Sequence, residues 1–148
     1  MREATTYIVK DTVIVVGRAT TDRGSPILYG SVDAIKLNDD AGIGRTLRKV
    51  LAEYAVGVMH ELAVGDKDLA RKIFQASKLR SWKALHRNAH SVVVCETSEA
   101  IELQPLVRIT DQYGGFGAGP QPTLVKLPIA DVALGLAFKQ ASADCKEE

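Results

Sequence analysis

Three histidines, at positions 60, 86 and 90, are the side chains of this sequence best suited to moving protons near neutral pH. General acid and base work needs two such groups to converge with a carboxylate, and although Glu61 follows His60, nothing in the spacing requires convergence. His86 and His90 stand one helical turn apart, but a second ligand pair is missing, so no zinc site is composed and no metal or cofactor is expected. Cys95 and Cys145 show no Cys-x-x-Cys or Cys/His spacing, which suits a reduced cytosolic protein. No serine nucleophile elbow is present. Glycines 114, 115, 117 and 119 suggest a phosphate cradle, yet such a cradle must open into a helix, and these run into Pro120-Gln121-Pro122 and a further strand. Tyr113 to Pro122 is therefore read as a mobile loop without regular structure. With no catalyst composed, the chain is expected to bind and not to be an enzyme.

Charge offers the other chemistry. Between Arg71 and His90 lie Arg71, Lys72, Lys78, Arg80, Lys83 and Arg87, with Trp82 and no acidic residue, a pattern able to grip phosphates. The alternative is a pair of amphipathic helices whose polar faces are basic, favoured here because Trp82 and Leu85 are placed to face the core. From Ser91 onward eight Asp/Glu oppose four Lys/Arg, so a basic middle is followed by an acidic end. The formal net charge of +1 commits the whole chain to neither nucleic acid nor membrane.

The elements that must position these groups follow from periodicity. At 148 residues one domain, 1–148, is expected. Tyr7 to Val9 and Val13 to Val16 read as a hairpin about Lys10-Asp11-Thr12, and Ile27 to Leu37 as one or two strands broken near Gly30. Asn38, Asp39 and Asp40 can cap a helix carrying Ile43, Leu47, Val50, Leu51 and Tyr54 on its apolar side. A second helix starts at Asp66 or Asp68, and a short third one at Ser81. Ser91 to Cys95 is a buried strand, and a turn around Ser98-Glu99 joins it to an alternating strand from Ile101 to Ile109, with Pro105 marking an edge or bulge. Thr123 to Leu127 is the last strand, before a helix from Asp131 to about Cys145. The expected fold is α/β (α+β), a mainly antiparallel β-sheet with three to four helices packed against it. The polar start, MREATT, does not read as a signal peptide, and no stretch reaches the ~20 apolar residues of a membrane helix.

One pattern occurs twice. Ile35-Lys36-Leu37 is matched by Val125-Lys126-Leu127, Ile43-Gly44 by Leu134-Gly135, and Leu47, Arg48 and Val50 by Phe138, Lys139 and Ala141, with one residue slipped in the turn. The alternative is chance similarity of two amphipathic strand-to-helix units.

The segments SKLRSWKALHRNAHSVVV, EAIELQPLVR and TLVKLPIADVALGLAFKQASADC resemble the immunity proteins of bacterial contact-dependent growth inhibition (CdiA/CdiI-type) systems. The resemblance rests on the basic helix Lys83 to Arg87, on Ile101-Glu102-Leu103-Gln104-Pro105, on Leu134-Gly135 with Phe138, and on Cys145; Ile43-Gly44 with Leu47 fits the amino-terminal part. It implies a cytoplasmic protein that binds and neutralises, one to one, the C-terminal toxin domain of its effector, commonly a nuclease such as a tRNase. It implies neither membrane nor direct nucleic-acid contact. The competing reading is an RNA-associated protein or small ribonuclease using Arg71 to His90.

A blocker of a cationic nuclease site should present carboxylates. The toxin-binding candidates are accordingly Glu96, Glu99 and Glu102 about the hairpin turn, and Asp111, Tyr113 and Phe116 in the strand end and loop beyond, with Asp39 and Asp40 next in line. The turn and the loop are expected at opposite ends of the sheet.

Overall fold

The computed structural model describes residues 1–59, 67–109 and 114–147. His60 and Glu61 therefore lie outside the described residues. A hairpin of β1 (Arg2–Val9) and β2 (Thr12–Thr21) turns on Lys10, whose φ of 55° lies in the left-handed region. The remaining strands are β3 (Pro26–Lys36), β4 (Ala55–Val58), β5 (His90–Glu96), β6 (Ala100–Arg108), β7 (Phe116–Ala118), β8 (Thr123–Lys126) and β9 (Lys146–Glu147). They form one sheet of order β3-β2-β1-β5-β6-β7; β4 joins β2 in parallel, and β8 and β9 also pair with β6, β9 in parallel. The fold is α+β with a mainly antiparallel sheet, as the periodicities require.

Among the described residues four helices cover this sheet: α1 (Asp40–Ala52), α2 (Lys67–Ser77), α3 (Trp82–Asn88) and α4 (Asp131–Ala143). Strand alternation sorts the core in two. Ala4, Ile8, Val13, Val15, Val92, Val94, Ile101 and Leu103 face α1 and α4, whereas Tyr7, Val9, Ile14 and Val16 face Leu69 and Ile73 of α2 and Leu85 of α3. Three layers result, with β1, buried between β2 and β5, at the centre.

The repeated pattern is a structural one. α1 and α4 meet where each carries its glycine: a Cβ on Gly44 would overlap the Asp131 carbonyl oxygen, and a Cβ on Gly135 would overlap that of Asp40. The ion pairs are equally reciprocal, Arg48 with Asp131 at 2.9 Å and Lys139 with Asp40 at 3.1 Å. Ile43, Leu47 and Val50 on one helix, and Leu134, Phe138 and Ala141 on the other, are fully buried. Glycine is needed at both positions because the partner's backbone occupies the space of a side chain.

Several local expectations are revised. Of Ile27 to Leu37, all but Leu37 belongs to one strand, which ends at Lys36 and whose register with β2 shifts opposite Gly17, with Gly30 at φ 88°. Tyr54 lies beyond α1, its hydroxyl hydrogen-bonded to Thr20. Pro105 is no edge: it sits inside the sheet opposite Val92, where β6 changes partner from β8 to β7. The glycine loop is not wholly irregular, because Phe116–Ala118 pairs with Leu106 to Arg108 as β7. Trp82 does not join the core; it is 37% exposed, while Leu85 on the same helix is fully buried.

Candidate functional site

The hairpin carboxylates do not converge. Glu96 pairs in register with Ile101, which faces α1 and α4, so Glu102, the next residue, points to the opposite face. Glu96 lies 3.7 Å from Arg2, and Glu99 is exposed in the turn, where Thr97 accepts its backbone N–H. Phe116 pairs with Arg108 at the far end of β6. Turn and loop are therefore separated by the length of that strand, on the order of 27 Å for its span, as the sequence led one to expect. Phe116 is half-buried, against Tyr7 at 6.3 Å and His86 at 5.5 Å between ring centres. Asp111 and Tyr113 lie outside the described residues. Asp39 caps α1, accepting the Gly42 N–H at 2.9 Å, and Asp40 is held by Lys139, so that pair is committed to the helix junction.

Glu102 instead enters a row that crosses the sheet on the face of α2 and α3. Glu3 stands opposite Cys95, Cys95 opposite Glu102, and Glu102 opposite the exposed Leu124, while Arg18 approaches Glu3 at 3.8 Å. Burial first, then the Glu3 and Glu102 carboxylates, push the Cys95 thiol up to about 11. Burial also raises Cys145, whose Sγ donates to the Ser91 carbonyl at 3.3 Å. Both thiols are protonated at neutral pH, and a protonated thiol is a poor nucleophile. Burial lowers the pKa of His86, which packs between Trp82 and Phe116 as a neutral ring. Among the described residues no three His, Cys, Asp or Glu side chains are grouped to hold a metal ion.

The other assembled feature is cationic. Lys67, Arg71, Lys72, Lys78, Arg80, Lys83 and Arg87 are all exposed along α2 and α3, against a single carboxylate, Asp68, which pairs with Arg71 at 2.7 Å. Beside them Trp82 makes an edge contact with Phe74, their ring centres 5.1 Å apart. Sequence reasoning placed Trp82 inside because it lies three residues from Leu85. Its position amid lysines and arginines without a compensating acid is the sequence signal that the helical spacing outweighed.

No protein-family model and no curated protein matches this chain. Solved structures do. A Neisseria meningitidis protein of unknown function superposes with a TM-score of 0.79 at 15% identity, covering 97% of this chain and 94% of that one. A chain of the CdiA-CT/CdiI toxin and immunity complex from Yersinia pseudotuberculosis superposes with a TM-score of 0.76 at 14% identity, covering 98% of this chain and 97% of that one. At such identities the likeness is one of fold. No helix among the described residues is long and apolar enough to cross a membrane.

Proposed function

We propose that this chain is an immunity protein that binds, one to one, the C-terminal toxin domain of a contact-dependent growth inhibition effector and neutralises it in the cytoplasm. The observation that carries the reading is the likeness, over nearly the full length of both chains, to a chain of a CdiA-CT/CdiI complex. The sequence motifs that resemble this family support it from a separate direction. Two of them, Ile43-Gly44 and Leu134-Gly135, are the helix junction on which the fold closes. The toxin is a nuclease on this reading, and Glu99, exposed in the hairpin turn, offers a carboxylate to its cationic cleft, while Glu96 and Glu102 flank the turn on opposite faces of the sheet. Phe116, at the other end of β6, would contact the toxin only across a broad interface.

Co-expression tests the proposal. The toxin tail of a large secreted effector encoded immediately upstream is produced in a susceptible bacterium with and without this chain. Growth arrest relieved by the chain, together with a 1:1 complex by light scattering, is the expected result; continued arrest and no complex would reject it.

A further inference from the structure

We infer that the α2–α3 face is a binding site for single-stranded nucleic acid, with phosphates on its lysines and arginines and a base stacked on Trp82. The inference does not rest on the toxin-binding reading above. It departs from the absence of nucleic-acid contact that the family resemblance implies, and the reading of the basic run as two amphipathic helices with Trp82 in the core no longer stands against it, because the ring is at the surface.

The shape of the face points the same way. A groove of about 580 Å³ runs along α2 between Lys67, Arg71, Lys78 and Arg80, floored by Phe74 and Leu79. A second depression of about 310 Å³ shares Lys78 and Leu79 with it and continues to Lys10 and Asp11 at the β1–β2 turn. Lys10 and Lys78 are the two non-glycine residues with positive φ among the described residues, 55° and 60°, and both line this path. A left-handed conformation is costly for an ordinary residue, and glycine is usual just past a helix end, where Lys78 sits. A lysine held there at that cost is expected where its charge is used. Cations tracking a groove beside an aromatic ring are the features by which proteins hold single strands. Duplex offers no unstacked base to Trp82. An acidic protein would also satisfy the cations and seat the ring, since tryptophan is common at protein interfaces; what favours a strand is the spacing of the cations along one path from Lys67 and Arg71 past Lys78 to Lys10.

Trp82 is the only tryptophan of the chain, so its fluorescence reports on this face directly. Wild-type protein is titrated with U12 and dT12, fluorescein-labelled for anisotropy and unlabelled for tryptophan quenching, at 50 and 200 mM salt. Three phosphate contacts predict about 20-fold weaker binding at the higher salt, and K78Q/R80Q should reduce that dependence to about threefold. Trp82→Ala should weaken binding roughly tenfold or more, and Trp82→Phe should retain most of it. Circular dichroism confirms that each variant is folded. The ratio of the U12 and dT12 affinities separates RNA from DNA. A dodecaglutamate peptide binding as tightly as either oligonucleotide, or wild-type affinity in Trp82→Ala, would overturn the proposal and mark the face as a dock for acidic protein.

Discussion

Gly44→Ala and Gly135→Ala test the α1–α4 junction, and two effects of opposite sign meet there. Each glycine lies inside a helix, where alanine is favoured by about 1 kcal/mol. Against this, either new methyl would overlap a backbone carbonyl of the facing helix, which has no rotamer to change. The helices must separate by roughly 1.5 Å to restore carbon contacts of ~3.5 Å, and a radial gap of even 0.5–1 Å forfeits about a quarter to a half of the local dispersion attraction. Overpacking of this kind costs about 1–3 kcal/mol, more where backbone is involved, and Arg48–Asp131 and Lys139–Asp40 loosen with it, at up to about 1 kcal/mol each for such partly exposed pairs. The net expectation is a loss of about 2–3 kcal/mol for either variant, or roughly 5–10 °C in Tm at this chain length. Because one separation accommodates both methyls, the double variant should lose less than the sum, by about 1 kcal/mol or more. Urea denaturation at constant m-value measures all three. Wild-type stability in either single variant, or strict additivity in the double, would refute the close reciprocal contact.

Leu47→Ala and Phe138→Ala remove fully buried side chains from the same layer and should each destabilise by about 2–5 kcal/mol in the same assay. Charge reversal at Glu96, Glu99 and Glu102 should slow association with the cognate toxin domain by surface plasmon resonance, and Phe116→Ala should speed dissociation; wild-type rates in both would move the interface elsewhere. Cys95, raised to about 11, should react with iodoacetamide at pH 8 on the order of 100-fold more slowly than free cysteine, as followed by mass spectrometry. The same shift makes Cys95 a source of stability that is complete below its unfolded value of 9.0 and lost as the pH rises toward 11, measurable by chemical denaturation between pH 8 and 11.

Much of this fold was legible because its signals are local. The two helices with their glycines could be matched residue by residue, and the slipped residue in the turn is now located: two residues separate Leu37 from α1, whereas Pro128, Ile129 and Ala130 separate Leu127 from α4. The strands β4, β7 and β9 were not legible. Each is four residues or fewer, and β4 and β9 are set by partners distant in sequence, as Ala55 is by Ala19 and Lys146 by Val107, while β7 is three residues of a glycine-rich loop. Pro105 reads as an edge or a bulge in isolation; it is paired with Val92 on one side, and on the other it stands where β6 changes partner from β8 to β7. The hairpin carboxylates were correctly assigned to one turn, but a period of two sends Glu96 and Glu102 to opposite faces, which proximity in sequence conceals. Trp82 was misplaced because a seven-residue helix has an end as well as a face, and its first residue overhangs the rim.

The central position of β1 sets a schedule for the chain's maturation on the ribosome. Its pairing with β2 is available at once, but its other edge waits for β5, as Thr6 does for Val92, 86 residues later. At about 5–20 residues per second that is roughly 4–17 s in which a strand destined for the middle of the sheet is half unpaired. Closure of α1 on α4 needs the chain through Ala143. So high a share of non-local contacts also favours slow folding once synthesis is complete. On the function proposed above, protection therefore comes from a standing pool of folded inhibitor, and its abundance before an encounter sets how much toxin a cell survives.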